Sequence, residues 1–309
     1  MRVPLSWLGE YVELKANTTP ESVHEALVSI GLEEEEIHRF DVTGPVVVGE
    51  VLDFVDEPQS NGKTIRWCQV KVAPKDAPDA PAVRGIVCGA HNFVVGDQVV
   101  VALPGSVLPG PFPISARSTY GHVSDGMIAS AKELGLGDDH TGILRLVTMG
   151  ISAEVGTDAI SLLGLDDVAV EVNVTPDRGY ALSIRGIARE YHHATGARFQ
   201  DPALGVSPVT GAGFDVVLSD AAAIRGTTGC HAFVARSVRG IDPTLPTPPF
   251  MVARLVLAGI RSISLPVDIT NYVMLEMGQP LHGYDLERLT GGITVRRAKA
   301  GEKLTTLDG

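Results

Sequence analysis

The chain has 309 residues, of which 44% are hydrophobic, and this excludes a mainly disordered protein. Lys and Arg number 25 against 37 Asp and Glu, a net charge of −12, which argues against gripping nucleic acid by bulk positive charge but leaves room for a shaped RNA site. Three scattered cysteines form no C-x-x-C pair, so a disulfide scaffold or a zinc ribbon is not expected and a reducing compartment fits.

The first 40 residues are predicted to be helical. An apolar stripe beginning at Trp7 indicates a first helix. A second helix is marked by Thr19 as N-cap, Pro20 at the first helical position and Gly31 at the end. The acidic run Glu33–Glu36 is interpreted as a solvated face and not as a metal site.

Between about Asp41 and Leu146 the pattern changes to short β-segments separated by Gly and Pro. The predicted strands are Val46–Val55, Ile65–Val72, Gly85–Cys88 and Val99–Leu103, and a short helix is predicted over Lys132–Leu136. About five short strands in about 100 residues favour a small closed or nearly closed barrel, with the OB-fold as the leading candidate.

Mixed structure returns after residue 150. A strand is predicted over Val168–Val174, and a helix over Leu182–Thr195 with Ser183 as its cap and Gly196 as its end. This segment is expected to complete the helical start of the chain across the barrel, which makes the barrel an insertion. The Pro- and Gly-rich residues 201–213 are predicted to be a linker.

The last hundred residues alternate between strands and a helix. Strands are predicted over Phe214–Leu218, Ala232–Val238 and Gly292–Arg297, and a helix over Thr247–Gly259. The final Leu307–Gly309 carries a turn signal that normally leads into a partner strand. We therefore expect the chain to be a fragment of a longer protein.

Common catalytic and targeting motifs are missing from the sequence. It contains no phosphate-binding loop, no complete dinucleotide fingerprint, no zinc-protease motif and no nucleophile elbow. The start lacks the apolar stretch of a signal peptide, and no run reaches the roughly 18 apolar residues of a membrane span. We therefore expect a cytoplasmic protein without a membrane partner, a bound metal or ATP chemistry of its own.

Several stretches are distinctive when they are taken together and in order. They are Val3–Val12, Val87–Asn92, Val101–Gly110, Ser124–Leu136, Thr175–Gly179, Leu182–Glu190, Val267–Glu276 and Gly278–Asp285. With these motifs the chain closely resembles, from Met1 to Gly309, the N-terminal part of the β subunits of bacterial phenylalanyl-tRNA synthetases.

The resemblance implies an α+β multidomain fold. Residues 1–40 and 151–200 would form a split N-terminal α/β domain around an inserted OB-fold β-barrel, the tRNA-binding module, at 41–150. After the linker, residues 214–309 would form the first, partial section of an α/β editing domain. The family's enzyme is an α2β2 heterotetramer that charges tRNA with phenylalanine using ATP and Mg²⁺. The aminoacylation site lies on the α subunit, so no cofactor is expected on this fragment.

The resemblance also carries over a set of editing residues, through the motif Arg…Thr-Asn-Tyr…Gln-Pro-x-His. His282 and Asn271 are expected to orient the ester of a mischarged tyrosyl-tRNA and an attacking water. The expected pocket residues are Arg261, Thr270 and Pro280. Further residues of the family's pocket lie farther downstream, so the pocket is expected to be only partly encoded here.

The tRNA-binding role of the barrel is supported by few charges. Residues 41–150 hold eight Lys and Arg against twelve Asp and Glu, or 8 − 12 = −4. The candidate tRNA contacts are Lys63, Arg66, Arg84 and Arg117. An OB-fold that binds single strands normally has a basic groove with stacking aromatics, so the module is expected to be structural or to bind RNA weakly.

Plainer readings remain open for the editing residues. His282 also fits a hydrogen-bonded structural histidine, and Arg261 a contact with a helix C-terminus. Thr270 and Asn271 also fit a turn or cap pair. At the level of the whole chain, the alternatives are a non-catalytic OB-fold module for RNA binding or scaffolding, and a free-standing editing hydrolase.

Overall fold

The computed structural model describes residues 1–73, 81–207, 213–220 and 225–306. Its strands are β1 (Arg2–Pro4), β2 (Glu33–Arg39), β3 (Val46–Pro58), β4 (Thr64–Lys71), β5 (Val83–Cys88), β6 (Gln98–Ala102), β7 (Val107–Leu108), β8 (Phe112–Pro113), β9 (Arg117–Thr119), β10 (His122–Ser124), β11 (Met127–Ile128), β12 (Val168–Asn173), β13 (Val216–Ser219) and β14 (Ile293–Arg296). Its α-helices are α1 (Leu5–Leu8), α2 (Pro20–Val28), α3 (Ala159–Leu163), α4 (Ile184–Thr195), α5 (Pro249–Leu257) and α6 (Leu265–Met277). Short 3-10 helices lie at Lys132–Leu134, Leu146–Met149, Gly179–Ala181, Pro202–Gly205 and Leu286–Arg288.

A three-stranded antiparallel sheet, ordered β1-β12-β2, joins the start of the chain to residues 168–173. Helices α2 and α4 have the caps that the sequence predicts. The Thr19 hydroxyl accepts from the Ser22 amide, the Ser183 hydroxyl accepts from the Gly186 amide, and Gly196 ends α4 in the left-handed conformation. These two predicted helices are therefore confirmed, although α2 ends at Val28 and not at the predicted Gly31. Their apolar faces share one buried cluster with β12.

Strand β2 corrects the prediction that residues 1–40 are helical throughout. The acidic run Glu33–Glu36 is solvent-exposed, as expected, but it is extended and pairs antiparallel with β12. The Asn173 side-chain amide donates to the Glu33 carboxylate at 2.9 Å. The partner strand lies far along the chain, at Val168–Asn173, and its hydrogen bonds outweigh the poor β-propensity of glutamate.

The middle of the chain forms a five-stranded antiparallel sheet in the order β11-β6-β3-β4-β5. The long strand β3 pairs with β6 through residues 46–50 and with β4 through residues 50–58, and its register shifts between Val51 and Asp53. A Cβ at Gly49 would lie 2.7 Å from a Val101 methyl, so only glycine lets β3 pass this close to its neighbour. The bulge and this glycine account for the curl of the sheet, and the predicted strands here are confirmed.

Helices α5 and α6 pack on the N-terminal elements. Ala253 and Leu257 join the cluster beneath β3 and α3, while Leu255 and Tyr272 join the cluster around Trp7. By its contacts the described chain divides into two compact units, one of 1–205 with 243–281 and one of 206–242 with 282–309. The first unit therefore combines two stretches that are separate along the sequence.

The second unit contains one parallel pair of strands, β13 with β14. These strands confirm the predictions at Phe214–Leu218 and Gly292–Arg297, with small shifts in their ends. The prediction at Ala232–Val238 is wrong, because this described segment forms no strand. The Phe214 amide donates to its Ala235 carbonyl at 3.4 Å. Residues 208–212 of the predicted linker and the terminal Leu307–Gly309 turn lie outside the described residues. In the part that is described, no helix has the length and apolar character to cross a bilayer.

The three cysteines should differ sharply in reactivity. Cys68 and Cys88 lie buried in the core of the five-stranded sheet, whereas Cys230 is half-buried. Burial raises the pKa of the Cys68 thiol to about 12 and raises the pKa of Cys88 as well. Because the thiolate is the reactive form, a thiol reagent at pH 8 should label Cys230 quickly and the other two only after unfolding. Mass spectrometry of labelled peptides checks this, and fast native labelling of Cys68 would contradict it.

Candidate functional site

The first turn of helix α6 contains a buried carboxylate. Asp268 is fully buried and accepts three hydrogen bonds, from the Thr247 hydroxyl at 2.5 Å, the Ser262 hydroxyl at 2.6 Å and the Ile263 amide at 2.9 Å. Buried charged groups require such partners, because each unpaired one carries a large desolvation cost. The first turn of α6 is thereby tied to the loop that carries Arg261.

Two of the residues assigned by resemblance lie on this helix. Thr270 and Asn271 are half-buried and sit in the helix interior, so they are not a turn or cap pair. With Val267 and Met274 they follow the spacing of one helix face, while Asp268 and Tyr272 face the core. The Thr270 hydroxyl donates to the Val267 carbonyl at 2.7 Å. Its proton is thus used within the helix, and its oxygen remains able to accept.

The other three assigned residues are exposed. Arg261 follows α5 in the loop before α6, and Pro280 follows the left-handed Gly278 that ends α6. Both belong to the first compact unit, together with Thr270 and Asn271, whereas His282 belongs to the second unit. The imidazole of His282 lies 6.2 Å from the Tyr284 ring, centre to centre. The structure describes the contacts of each residue within its own unit. The pocket formed by all five residues stays a prediction.

The core side of α6 rests on the start of the chain. The Tyr272 ring stacks on the fully buried Trp7 with centroids 4.0 Å apart, and the Tyr272 hydroxyl accepts from the Arg254 guanidinium at 2.6 Å. Arg254 also pairs with Glu10 at 2.6 Å. Burial raises the pKa of Tyr272 to about 12, so its hydroxyl keeps its proton at neutral pH.

A second contact, between Tyr11 and Glu276, closes the other end of this interface. The Tyr11 hydroxyl donates to the Glu276 carboxylate. Burial, followed by this bond, raises the pKa of Tyr11. The C-terminal half of α6 is therefore held by the aromatic residues Trp7 and Tyr11 from the start of the chain.

The four predicted tRNA contacts fall into two classes. Lys63 and Arg117 are exposed, and the Arg117 guanidinium lies 5.8 Å from the centre of the Phe112 ring, which is 41% exposed. An arginine beside an exposed aromatic ring is an arrangement that can hold a phosphate and stack a base. These two residues keep their charge available for a ligand.

Arg66 and Arg84 instead make internal contacts. Arg66 pairs with Asp56 at 3.0 Å, donates to the Phe93 carbonyl at 2.6 Å and lies over the Phe54 ring at 3.9 Å. Arg84 pairs with Asp125. Only 12% and 14% of these two side chains are exposed, so their first role is to hold the sheet together. Their assignment to tRNA binding stays a prediction.

Among the residues that the structure describes, one group has the spacing of metal ligands. Oxygen and nitrogen atoms of Glu36, His38 and Glu171 all lie within 4.8 Å of one another. Glu171 is already bonded to His38 at 2.5 Å and to the Arg2 guanidinium at 3.1 Å, and these bonds lower its pKa although burial opposes the shift. We interpret the contacts of Glu171 with Arg2 and His38 as structural links within the three-stranded sheet.

Two family models match parts of this chain. The family model described as a putative tRNA binding domain matches residues 46–158, which contain the five-stranded sheet. The model described as a B3/4 domain matches residues 229–309, which contain α5, α6 and His282.

The relatives agree along the whole chain. A protein of Leifsonia xyli subsp. xyli named phenylalanine–tRNA ligase beta subunit is 70% identical over 100% of this chain and 38% of its own length. The chain is similar over its whole length to phenylalanine–tRNA ligase beta subunits. Beta subunits of Bifidobacterium longum and Streptomyces avermitilis are 51% and 53% identical over 99% and 100% of the chain, and over 38% and 36% of their own lengths. The chain thus spans well under half the length of these beta subunits.

Analysis of the sequence missed two residues that anchor the helix carrying Thr270 and Asn271. Asp268 and Tyr272 lie inside the motif that carries Thr270 and Asn271, but their buried contacts are with Thr247, Ser262 and residues near the start of the chain. The spacing of Asp268 and Tyr272, four residues apart, is the signal of a shared helix face that could have revealed them.

Proposed function

We propose that the chain is part of a phenylalanine–tRNA ligase that charges tRNA with phenylalanine at the expense of ATP. The observation that carries this is the 70% identity, over the whole chain, to a beta subunit named for that activity. In this proposal the chain acts with an alpha subunit in an α2β2 enzyme in the cytoplasm, where translation uses the product. ATP and Mg²⁺ act at the alpha subunit.

The domains of the proposal follow the predicted boundaries. Residues 1–40 and 151–200 form the split N-terminal domain, residues 41–150 an OB-fold module and residues 214–309 the first section of the editing domain. The curled sheet and the tRNA-binding match at 46–158 support the module. Of the four candidate cations, Lys63 and Arg117 are exposed to a tRNA backbone, while the bonded Arg66 and Arg84 offer weaker contacts.

Hydrolytic editing answers a physical problem of selectivity. An apolar pocket for phenylalanine rejects a substrate that adds only a hydroxyl by about 10²-fold. A second pocket that offers a polar partner to the phenol reverses the preference, because phenylalanine leaves that partner unpaired at a cost of about 1–3 kcal/mol. The proposed second pocket hydrolyses the tyrosyl ester and leaves the phenylalanyl ester intact.

The residues of the proposed pocket have complementary chemistry. Asn271 offers an amide donor and an acceptor to the ester, His282 orients a water, and Arg261 supports the nucleic-acid end beside Pro280. The Thr270 oxygen can only accept, because its proton is bound to the Val267 carbonyl. It therefore suits a donor on the aminoacyl group, such as its ammonium or phenol.

Loss of the His282 imidazole should impair editing. In a full-length beta subunit with this sequence, assembled with its alpha subunit, His282→Ala should lower hydrolysis of tyrosyl-tRNA for phenylalanine by about 100-fold, the lower range for a group that assists proton transfer. Release of labelled tyrosine measures the rate. The exposed His140, bonded to the Asp138 carbonyl, gives a matched control, and His140→Ala should hydrolyse normally.

The same assay separates the alternatives. Unchanged hydrolysis in His282→Ala would remove this residue from the site. A wild-type enzyme that binds tRNA without hydrolysing the tyrosyl ester would instead support a non-catalytic RNA-binding module. Hydrolysis by the beta chain without its alpha partner would support a free-standing editing hydrolase.

A further inference from the structure

The buried carboxylate of Asp268 joins two segments to one helix. Thr247 precedes α5, whereas Ser262 and Ile263 follow α5 directly after Arg261. One carboxylate oxygen accepts from both hydroxyls, and the other accepts from the Ile263 amide. Both ends of α5 are thus fastened to the first turns of α6 by a single side chain.

Among the described residues, the Asp268 carboxylate joins this loop to α6 through its bonds with Ser262 and Ile263. The N-cap residue Ser264 makes no side-chain cap bond, and Asp268 takes the preceding amide at Ile263 instead. Arg261 lies one residue before the bonded Ser262, and Thr270 lies two residues after Asp268. Any change in these three bonds therefore alters the path of Arg261 relative to Thr270 and Asn271.

We propose that Asp268 is a positioning residue of the editing site, which holds the Arg261 loop in register with the helix that carries Thr270 and Asn271. The inference rests on the proposed function, because it assigns a part of the same site. Asp268 is fully buried, so it acts through its neighbours and does not contact the substrate. Misplacing a binding group by about 1 Å costs as much as 10²-fold in rate, which is the effect expected when this link is lost.

Two substitutions of Asp268 test whether its hydrogen bonds or its negative charge hold the loop. Asp268→Ala removes all three bonds. Asp268→Asn keeps its oxygen on the Ile263 amide, and its new NH₂ group donates to the hydroxyl oxygens of Thr247 and Ser262, which can accept as well as donate. The amide should therefore preserve the path of the loop.

The test uses the full-length beta subunit assembled with its alpha subunit. For hydrolysis of tyrosyl-tRNA, Asp268→Ala should lower kcat at least about tenfold, while Asp268→Asn should stay within about threefold of the wild type. Aminoacylation should be unchanged in both. Hydrogen exchange of a peptide covering 261–265 should rise in Asp268→Ala and not in Asp268→Asn. Asp158→Ala, which removes an aspartate–amide bond to Ile160 in the same compact unit, should change neither readout.

Three results would overturn the inference. They are normal hydrolysis in Asp268→Ala, an equal loss in Asp268→Asn, and a parallel loss of aminoacylation, which would indicate a general folding defect. A wild-type enzyme without tyrosyl-tRNA hydrolysis would defeat the proposed function instead. Hydrogen exchange at 261–265 would then still decide whether Asp268 holds the loop.

Discussion

Replacing Gly186 with alanine should strongly destabilise the first compact unit. A Cβ at this position would lie 2.0 Å from the Tyr180 carbonyl oxygen and 2.9 Å from the Ala181 Cα, both backbone atoms that cannot swing aside. In most helices, replacing glycine with alanine raises the free energy of unfolding by about 1 kcal/mol. Here the clash should lower the free energy of unfolding by about 3 kcal/mol or more. The urea midpoint of unfolding measures it.

The neighbouring Gly179 supplies the control for this prediction. A Cβ at Gly179 meets no atom within 4 Å, and it lies in the 3-10 turn just before α4. Gly179→Ala should therefore leave the midpoint nearly unchanged. Equal stability of the two variants would show that α4 does not approach residues 180 and 181 as described.

Replacing Trp7 with alanine should loosen α5 and α6 although both helices lie more than 240 residues away in the sequence. Trp7 is fully buried against Tyr272, and truncation of a buried tryptophan costs about 3–5 kcal/mol. The loss should appear as faster hydrogen exchange over residues 249–277. A substitution that removes only a surface contact should leave hydrogen exchange in α5 and α6 unchanged.

The chain's other tryptophan provides a matched comparison. Trp67 lies on the five-stranded sheet, where its ring stacks on His122 at 4.2 Å. Trp67→Ala should increase exchange in β4 and β5 and leave residues 249–277 protected. Unchanged protection of α5 and α6 in Trp7→Ala would contradict the packing described for Tyr272.

Local signals predicted those elements whose causes are local. The caps at Thr19 and Ser183 and the terminator Gly196 define α2 and α4 from nearby residues alone. The apolar strands of the central sheet were equally visible, because Val-rich alternation is a strong signal. Strand β2 was missed because its glutamates favour no strand, and its partner β12 lies far along the chain.

The candidate site was only partly predictable for the same reason. Arg261, Thr270 and Asn271 came from a family resemblance, which gives positions but not surroundings. The helix that carries Thr270 was not predicted, and the partners of Asp268 depend on a loop and on α5 in three dimensions. No sequence spacing shows that Tyr272 would stack on Trp7, since that contact depends on the tertiary fold.

The interleaved build of the first unit has a consequence for a cleaved chain. Helices α5 and α6 contact Trp7, Tyr11 and Glu10, which all lie in the first eleven residues of the chain. A protease nick at residues 213–220 should therefore yield two pieces that migrate together in native chromatography and separate only in denaturant. The fold of the first unit should therefore survive a cut in the backbone at this place.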